Sequence, residues 1–113
     1  MRINHWERDD VVVLEMEGEL LDGPAAGLLN DKIHELIDAG KTNVVVDLCQ
    51  VKLMNSSGLG ILIGGLTTLR NNGGDMKLAN VAEKIRDLLK VTRLITIFEI
   101  FDSVEDAIES FRG

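Results

Sequence analysis

The run Val44-Val45-Val46, with Asn43 before it and Asp47-Leu48 after it, limits the possible folds of this chain more than any other stretch. Successive side chains of a strand point to opposite faces, so an unbroken apolar run needs cover on both. Such strands sit at the centre of parallel sheets, between layers of helices. Downstream, Leu59, Leu62, Ile63, Leu66 and Leu69 recur at helical spacing and predict a helix over about Ser57 to Arg70. Asn71-Asn72-Gly73-Gly74 then stops it, and Met76 to Ala79 predicts the next strand. A strand–helix–strand unit with a buried parallel strand is the core of the expected fold.

The flanking segments extend that unit. Val11 to Glu17 reads as a strand with Val12, Leu14 and Met16 on one face, and Asp9-Asp10 before it as a turn. Arg2 to Arg8 is then a preceding hairpin strand. Asp22 or Gly23 can cap a helix that Pro24 opens, with Ala26, Leu29, Ile33, Leu36 and Ile37 on one face and Gly40 as its stop. Val81 to Lys90 predicts a helix and Ile95 to Phe101 an apolar strand. Ser103 and Asp106 resemble a capping box for a last helix reaching Phe111. The expected fold is a single α/β domain over residues 1–113, a mixed, mostly parallel sheet with four helices packed on it.

Bulk properties exclude several functions. A net charge of −7 argues against nucleic acid or an anionic membrane as the main partner. The longest near-apolar run, Leu59 to Leu66, is too short to span a bilayer, and Met1 to His5 is not signal-like. With the lone Cys49, these features predict a cytoplasmic chain without membrane insertion. Gly58 to Gly65 lacks the sixth-position glycine of a dinucleotide fingerprint, where Ile63 stands, and the lysine of a phosphate loop. No Gly-x-Ser-x-Gly elbow surrounds Ser57, and neither His5 nor His34 has a ligand or relay partner at local spacing. No metal, cofactor or enzymatic activity is expected. Gly64 and Gly65 read as close packing of the helix on the sheet, and Asp47 as a hydrogen-bonding residue where strand meets loop.

Asn55-Ser56-Ser57-Gly58-Leu59-Gly60 is the segment with functional content. It places three capping residues in a row where a helix begins, although one cap needs only one. The free N–H groups and positive dipole end of a helix accommodate a phosphate. The surplus of hydroxyls therefore points to a regulated serine. Ile61 falls off the apolar stripe and is expected to remain exposed beside it.

Val45-Val46-Asp47-Leu48, a short loop holding Val51, and Met54-Asn55-Ser56-Ser57-Gly58-Leu59-Gly60 together resemble the signature of STAS domains, most closely that of bacterial anti-sigma factor antagonists. The similarity extends to a Gly18-Glu19-Leu20 turn after the first apolar strand and to the element order of nearly the whole chain. The resemblance implies a binding module switched by phosphorylation. In that family the second serine of the pair is modified by a partner that is both anti-sigma factor and ATP-dependent serine kinase. Carried over, the acceptor is Ser57, which leaves Ser56 as the expected helix cap. Unphosphorylated, such a protein captures the anti-sigma factor and frees a sigma factor; a PP2C-type phosphatase resets it. The implied partner surface is Asp22, Asn55, Ser56, Ser57, Gly58, Leu59 and Ile61. Two positions depart from the pattern: Asn55 stands where the family commonly has Asp, and Leu21 separates Gly-Glu-Leu from the acid Asp22. Both bear on kinase recognition rather than on the fold. A non-signalling STAS subunit docking a lipid-type transporter, or a stressosome-type scaffold, are the alternatives.

Overall fold

A computed structural model describes residues 2–20 and 23–112. In it Val44, Val45 and Val46 are fully buried, because the strand that carries them is the middle one of five. The strands are β1 (Arg2–Arg8), β2 (Val11–Leu20), β3 (Asn43–Met54), β4 (Asp75–Ala79) and β5 (Ile100–Phe101), and they lie in that order across the sheet. Only the β1–β2 pair is antiparallel, a hairpin in register from Arg2↔Glu17 to Arg8↔Val11. The other three pairings are parallel. The helices are α1 (Gly23–Asp38), α2 (Ser56–Asn71), α3 (Glu83–Val91) and α4 (Val104–Arg112).

Alternation along the strands divides the core in two. Even-numbered Val12, Leu14, Val44, Val46, Met76 and Leu78 face a larger core closed by α1, α2 and α3. Odd-numbered Val11, Val13, Val45 and Ala79 face a smaller core closed by Val104, Ala107 and Ile108 of α4. A buried cation helps to seat α4 there. Lys77 reaches Glu99 at 3.0 Å and the Ser110 hydroxyl at 2.8 Å, with its ammonium 4.2 Å from the Phe111 ring centre. Desolvation of that charge is offset by the ion pair, the hydrogen bond and the aromatic face together.

Helix ends follow from local chemistry. Gly40 takes φ +75, so Gly40 N can donate to Ile37 O and Lys41 N to Leu36 O, the paired bonds of a Schellman stop for α1. The Ser103 hydroxyl accepts the Asp106 amide at 3.1 Å and so caps α4 as expected.

Five expectations are corrected. β3 does not stop at Leu48 with a loop holding Val51; it runs to Met54, and Val51 is buried in the larger core. Gly18-Glu19-Leu20 is no turn but the end of β2, where Gly18 (φ +117) accompanies a slip in register. Ile95 to Phe101 forms a strand only at Ile100–Phe101. Arg93 turns left-handed (φ 63) after α3 and a 3₁₀ turn, Leu94–Thr96, follows. Leu94, Ile95 and Phe98 pack on the larger core from irregular backbone, which imitates a strand in composition alone. Ala25, not Ala26, is the buried alanine of α1. Gly65 and Gly64 also differ: a methyl on Gly65 would lie 2.6 Å from Ile33 Cδ1 and 2.8 Å from Met76 Cε, whereas one on Gly64 would meet nothing within 4 Å.

Leu62 is completely buried in α2, so Leu62→Ala should cost about 2–5 kcal/mol. Gly64→Ala should instead stabilise by up to about 1 kcal/mol, since helix propensity improves and nothing is displaced. Urea denaturation midpoints check both, and equal midpoints for the two variants would contradict this packing.

Candidate functional site

β3 carries the chain out of the buried centre. Its pairing with β4 ends at Asp47↔Ala79, while pairing with β2 continues to Leu20↔Met54. The last four residues of β3 deliver the chain directly to Asn55, where α2 begins. Along this two-stranded extension Gln50 and Lys52 are exposed, and Leu53 is half exposed. They border, with Glu17, Gly18 and Glu19, a shallow concavity of about 380 Å³.

Asn55 adopts extended backbone (φ −119, ψ −171), and its side-chain oxygen accepts the Gly58 amide at 2.9 Å. Its carbonyl accepts the Leu59 amide at 3.0 Å, the first bond of the helix. Asn55 is therefore the N-cap, which corrects the expectation that Ser56 caps α2. Asparagine caps as well as serine does, and standing one residue earlier it reaches the third amide of the helix. Both serines are released from that duty. Ser56 and Ser57 occupy the first turn, exposed, with no acidic residue in that turn.

The remaining expected site residues separate into two groups. Asn55, Ser56 and Ser57 are exposed and adjacent, and Ile61, one turn beyond Ser57, is partly exposed. Gly58 and Leu59 are buried, Leu59 to 2% exposure, so they support the segment from beneath and do not offer side chains to solvent. Asp22 and Leu21 lie outside the described residues. Gly60 was not anticipated: it is exposed, and a methyl on it would meet nothing within 4 Å. Ser56, Gly60 and Gly64 recur every four residues, so they share one row of α2 and leave its surface bare. Gly60, Ile61 and Gly64 continue into a groove of about 370 Å³ between α1 and α2.

Other reactive groups are accounted for locally. His34 is exposed on α1 and its Nδ1 lies 2.9 Å from the Asn30 carbonyl. Among the described residues no cluster of His, Cys, Asp or Glu could hold a metal ion, and no helix is long and apolar enough to cross a membrane. Asp47 is 7% exposed and sits within β3, not at its end; its Oδ1 accepts the Cys49 amide and the Asn80 side-chain amide, each at 3.1 Å. Cys49 is exposed as a residue, yet its thiol is pushed above its ordinary pKa. Desolvation is the first cause, followed by a hydrogen bond to Asp47 and repulsion from the Asp47 and Glu15 carboxylates.

Comparison with known proteins bears out the fold. The STAS domain family model matches residues 2–107. The anti-sigma-B factor antagonist of Bacillus subtilis is 27% identical over 103 residues, covering 91% of this chain and 93% of that protein. A candidate anti-sigma factor antagonist of Thermotoga maritima, known from its crystal structure, superposes with a TM-score of 0.86 at 28% identity, over 98% of this chain and 95% of its own. The anti-sigma factor antagonist SpoIIAA, unphosphorylated, gives a TM-score of 0.75 at 24% identity, over 99% of each chain. The Bacillus SpoIIAA in its phosphorylated form gives 0.74 at 23%, over 97% and 99%.

Asn55→Ala should lower stability by about 1 kcal/mol, whereas Ser56→Ala should stay within about 0.5 kcal/mol of the wild type. Equal losses in chemical denaturation would contradict the cap assignment. At a given pH below its raised pKa, Cys49 carries less thiolate than an ordinary cysteine. Its alkylation at pH 8 should therefore be slower than in a denatured sample, and faster in Asp47→Asn than in the wild type.

Proposed function

The chain belongs to the STAS domain family, and on that premise we propose that it is an anti-sigma factor antagonist switched by phosphorylation of Ser57. The observation that carries this is the free serine pair. Asn55 already caps α2, so neither Ser56 nor Ser57 is required to start the helix, and both stand exposed at its positive end. The named relatives support the antagonist role, and the resemblance of the Asn55-to-Gly60 segment to the family signature implies the second serine as acceptor.

The proposed partner is an anti-sigma factor that is also the serine kinase, and it supplies the ATP. It covers Asn55, Ser56, Ser57 and Ile61. Gly58 and Leu59 serve that surface from below. Gly60 and Gly64 let a partner approach the α2 backbone closely, since no side chain stands between. Capture of the unphosphorylated form frees a sigma factor, and a PP2C-type phosphatase restores that form.

Phosphate adds roughly −1.5 to −2 charge at pH 7. At the head of α2 the helix dipole favours that charge by about 0.3–1 kcal/mol, so the fold accommodates it. SpoIIAA has the fold of this chain both with and without phosphate. The charge acts on the complex instead, because the partner has to desolvate it or place it against its own acids.

Incubation with the cognate kinase and ATP should place one phosphate on Ser57. Ser57→Ala should melt like the wild type and take no label, while Ser56→Ala should still be labelled. Mass spectrometry locating the phosphate on Ser56 alone, or persistent labelling of Ser57→Ala, would contradict the proposal.

A further inference from the structure

β3 changes neighbours partway along. Up to Asp47 it lies between β2 and β4; beyond, its ladder continues with β2 alone, and register slips between Glu15 and Glu17 and again between Gly18 and Glu19. Leu48 and Val51 both enter the larger core although they are three residues apart, so Cys49-Gln50 breaks the alternation. That break lies beside Asp47. Its buried Oδ1 accepts the Cys49 amide, two residues ahead, and the Asn80 side chain from across the sheet. Asn80 is the first residue after β4, left-handed at φ 56, and its amide donates to Phe101 O of β5 at 3.1 Å. The point where β4 turns away is thus tied to the point where β3 continues without it.

We propose that Asp47 and Asn80 are positioning residues for the serine pair, a buried clamp that fixes the break at Cys49-Gln50 and so the register in which β3 presents Asn55, Ser56 and Ser57. A buried carboxylate is tolerated only with donors around it, and both donors here come from backbone or side chains that set the direction of β3. Accepting an amide two residues ahead is a local alternative to the ladder, and it accommodates the extra residue. A slip of one residue would reverse every side chain beyond it, turning Val51 out of the core. The distal part of β3 has one neighbouring strand where the proximal part has two, so it depends more on this clamp. For its functional consequence the inference rests on Ser57 as the acceptor; for its structural half it does not.

Asn80→Gly keeps the left-handed backbone accessible and deletes only the side-chain amide. In the partner-free protein, hydrogen exchange by NMR should accelerate by about tenfold at the Cys49 and Gly58 amides, with Met76 and Leu78 unchanged. Asp47→Ala should act similarly, and Asp47→Asn, which retains an oxygen acceptor, should be milder. Below the unfolding midpoint, kinase labelling of Ser57 should fall roughly fivefold to tenfold in Asn80→Gly, which a purely stabilising role would not cause. Unchanged exchange at Gly58 in Asn80→Gly would overturn the clamp, as would unchanged labelling. If Asn80→Gly does not fold, Asn80→Ser carries the same measurements. A wild type that the kinase never labels would overturn the acceptor reading, and exchange at Gly58 would still decide the clamp.

Discussion

Everything in this domain depends on burying β3 from both sides. An unbroken valine run cannot leave either face in water, and hydrophobic burial contributes about 25 cal/mol per Å² of apolar surface removed. The larger face requires three helices, the smaller one α4. The functional segment lies where that cover ends. β4 turns away at Asn80, β3 runs on beside β2, and the chain emerges to begin α2. The site is therefore held by the core yet projects from it.

This placement suits the switch proposed above, in which a rigid fold carries a chemical change at its surface. Leu59, Leu62, Leu66 and Leu69 bind α2 to the sheet, so its first turn is anchored from within. Asn55 satisfies the Gly58 amide, and the serines need do no structural work. In the proposed switch a charge on Ser57 meets a helix end that favours it, on a helix anchored by buried residues. Its effect then falls on whatever covers the exposed surface. Gly60 and Gly64 fit the same logic: they lower the helix propensity of α2 without being required by packing, which is understandable if something approaches from outside.

Much of this was legible in the sequence, and the exceptions have physical causes. The pattern of apolar residues identified α1, α2 and the central strand, the Asp9-Asp10 turn the hairpin, and the Ser103-Asp106 cap the last helix, because these signals are set by local backbone geometry. It did not separate Ile95 to Phe101 from a strand, since an irregular segment packed on a core is equally apolar. It ended β3 too early, because a bulge at Cys49-Gln50 destroys alternation while hydrogen bonding continues. The serine segment was legible as the start of α2, but the choice of cap was not. Three adjacent residues could each accept the bond, and only the backbone geometry at Asn55 decides among them. The buried Lys77 and the Asp47–Asn80 contact are invisible in sequence, as their partners lie 33 residues away. Leu59 shows the reverse limitation: a motif residue can be essential to a segment and still face inward.

Titration calorimetry of the anti-sigma partner into phosphorylated and unphosphorylated protein tests the central claim most directly. If the phosphate costs the complex even 3 kcal/mol, affinity should fall on the order of a hundredfold. The circular dichroism spectrum and melting transition should stay those of the native fold. Equal affinity for the two forms, or loss of the folded spectrum on phosphorylation, would contradict a switch that acts on the complex and leaves the domain unchanged.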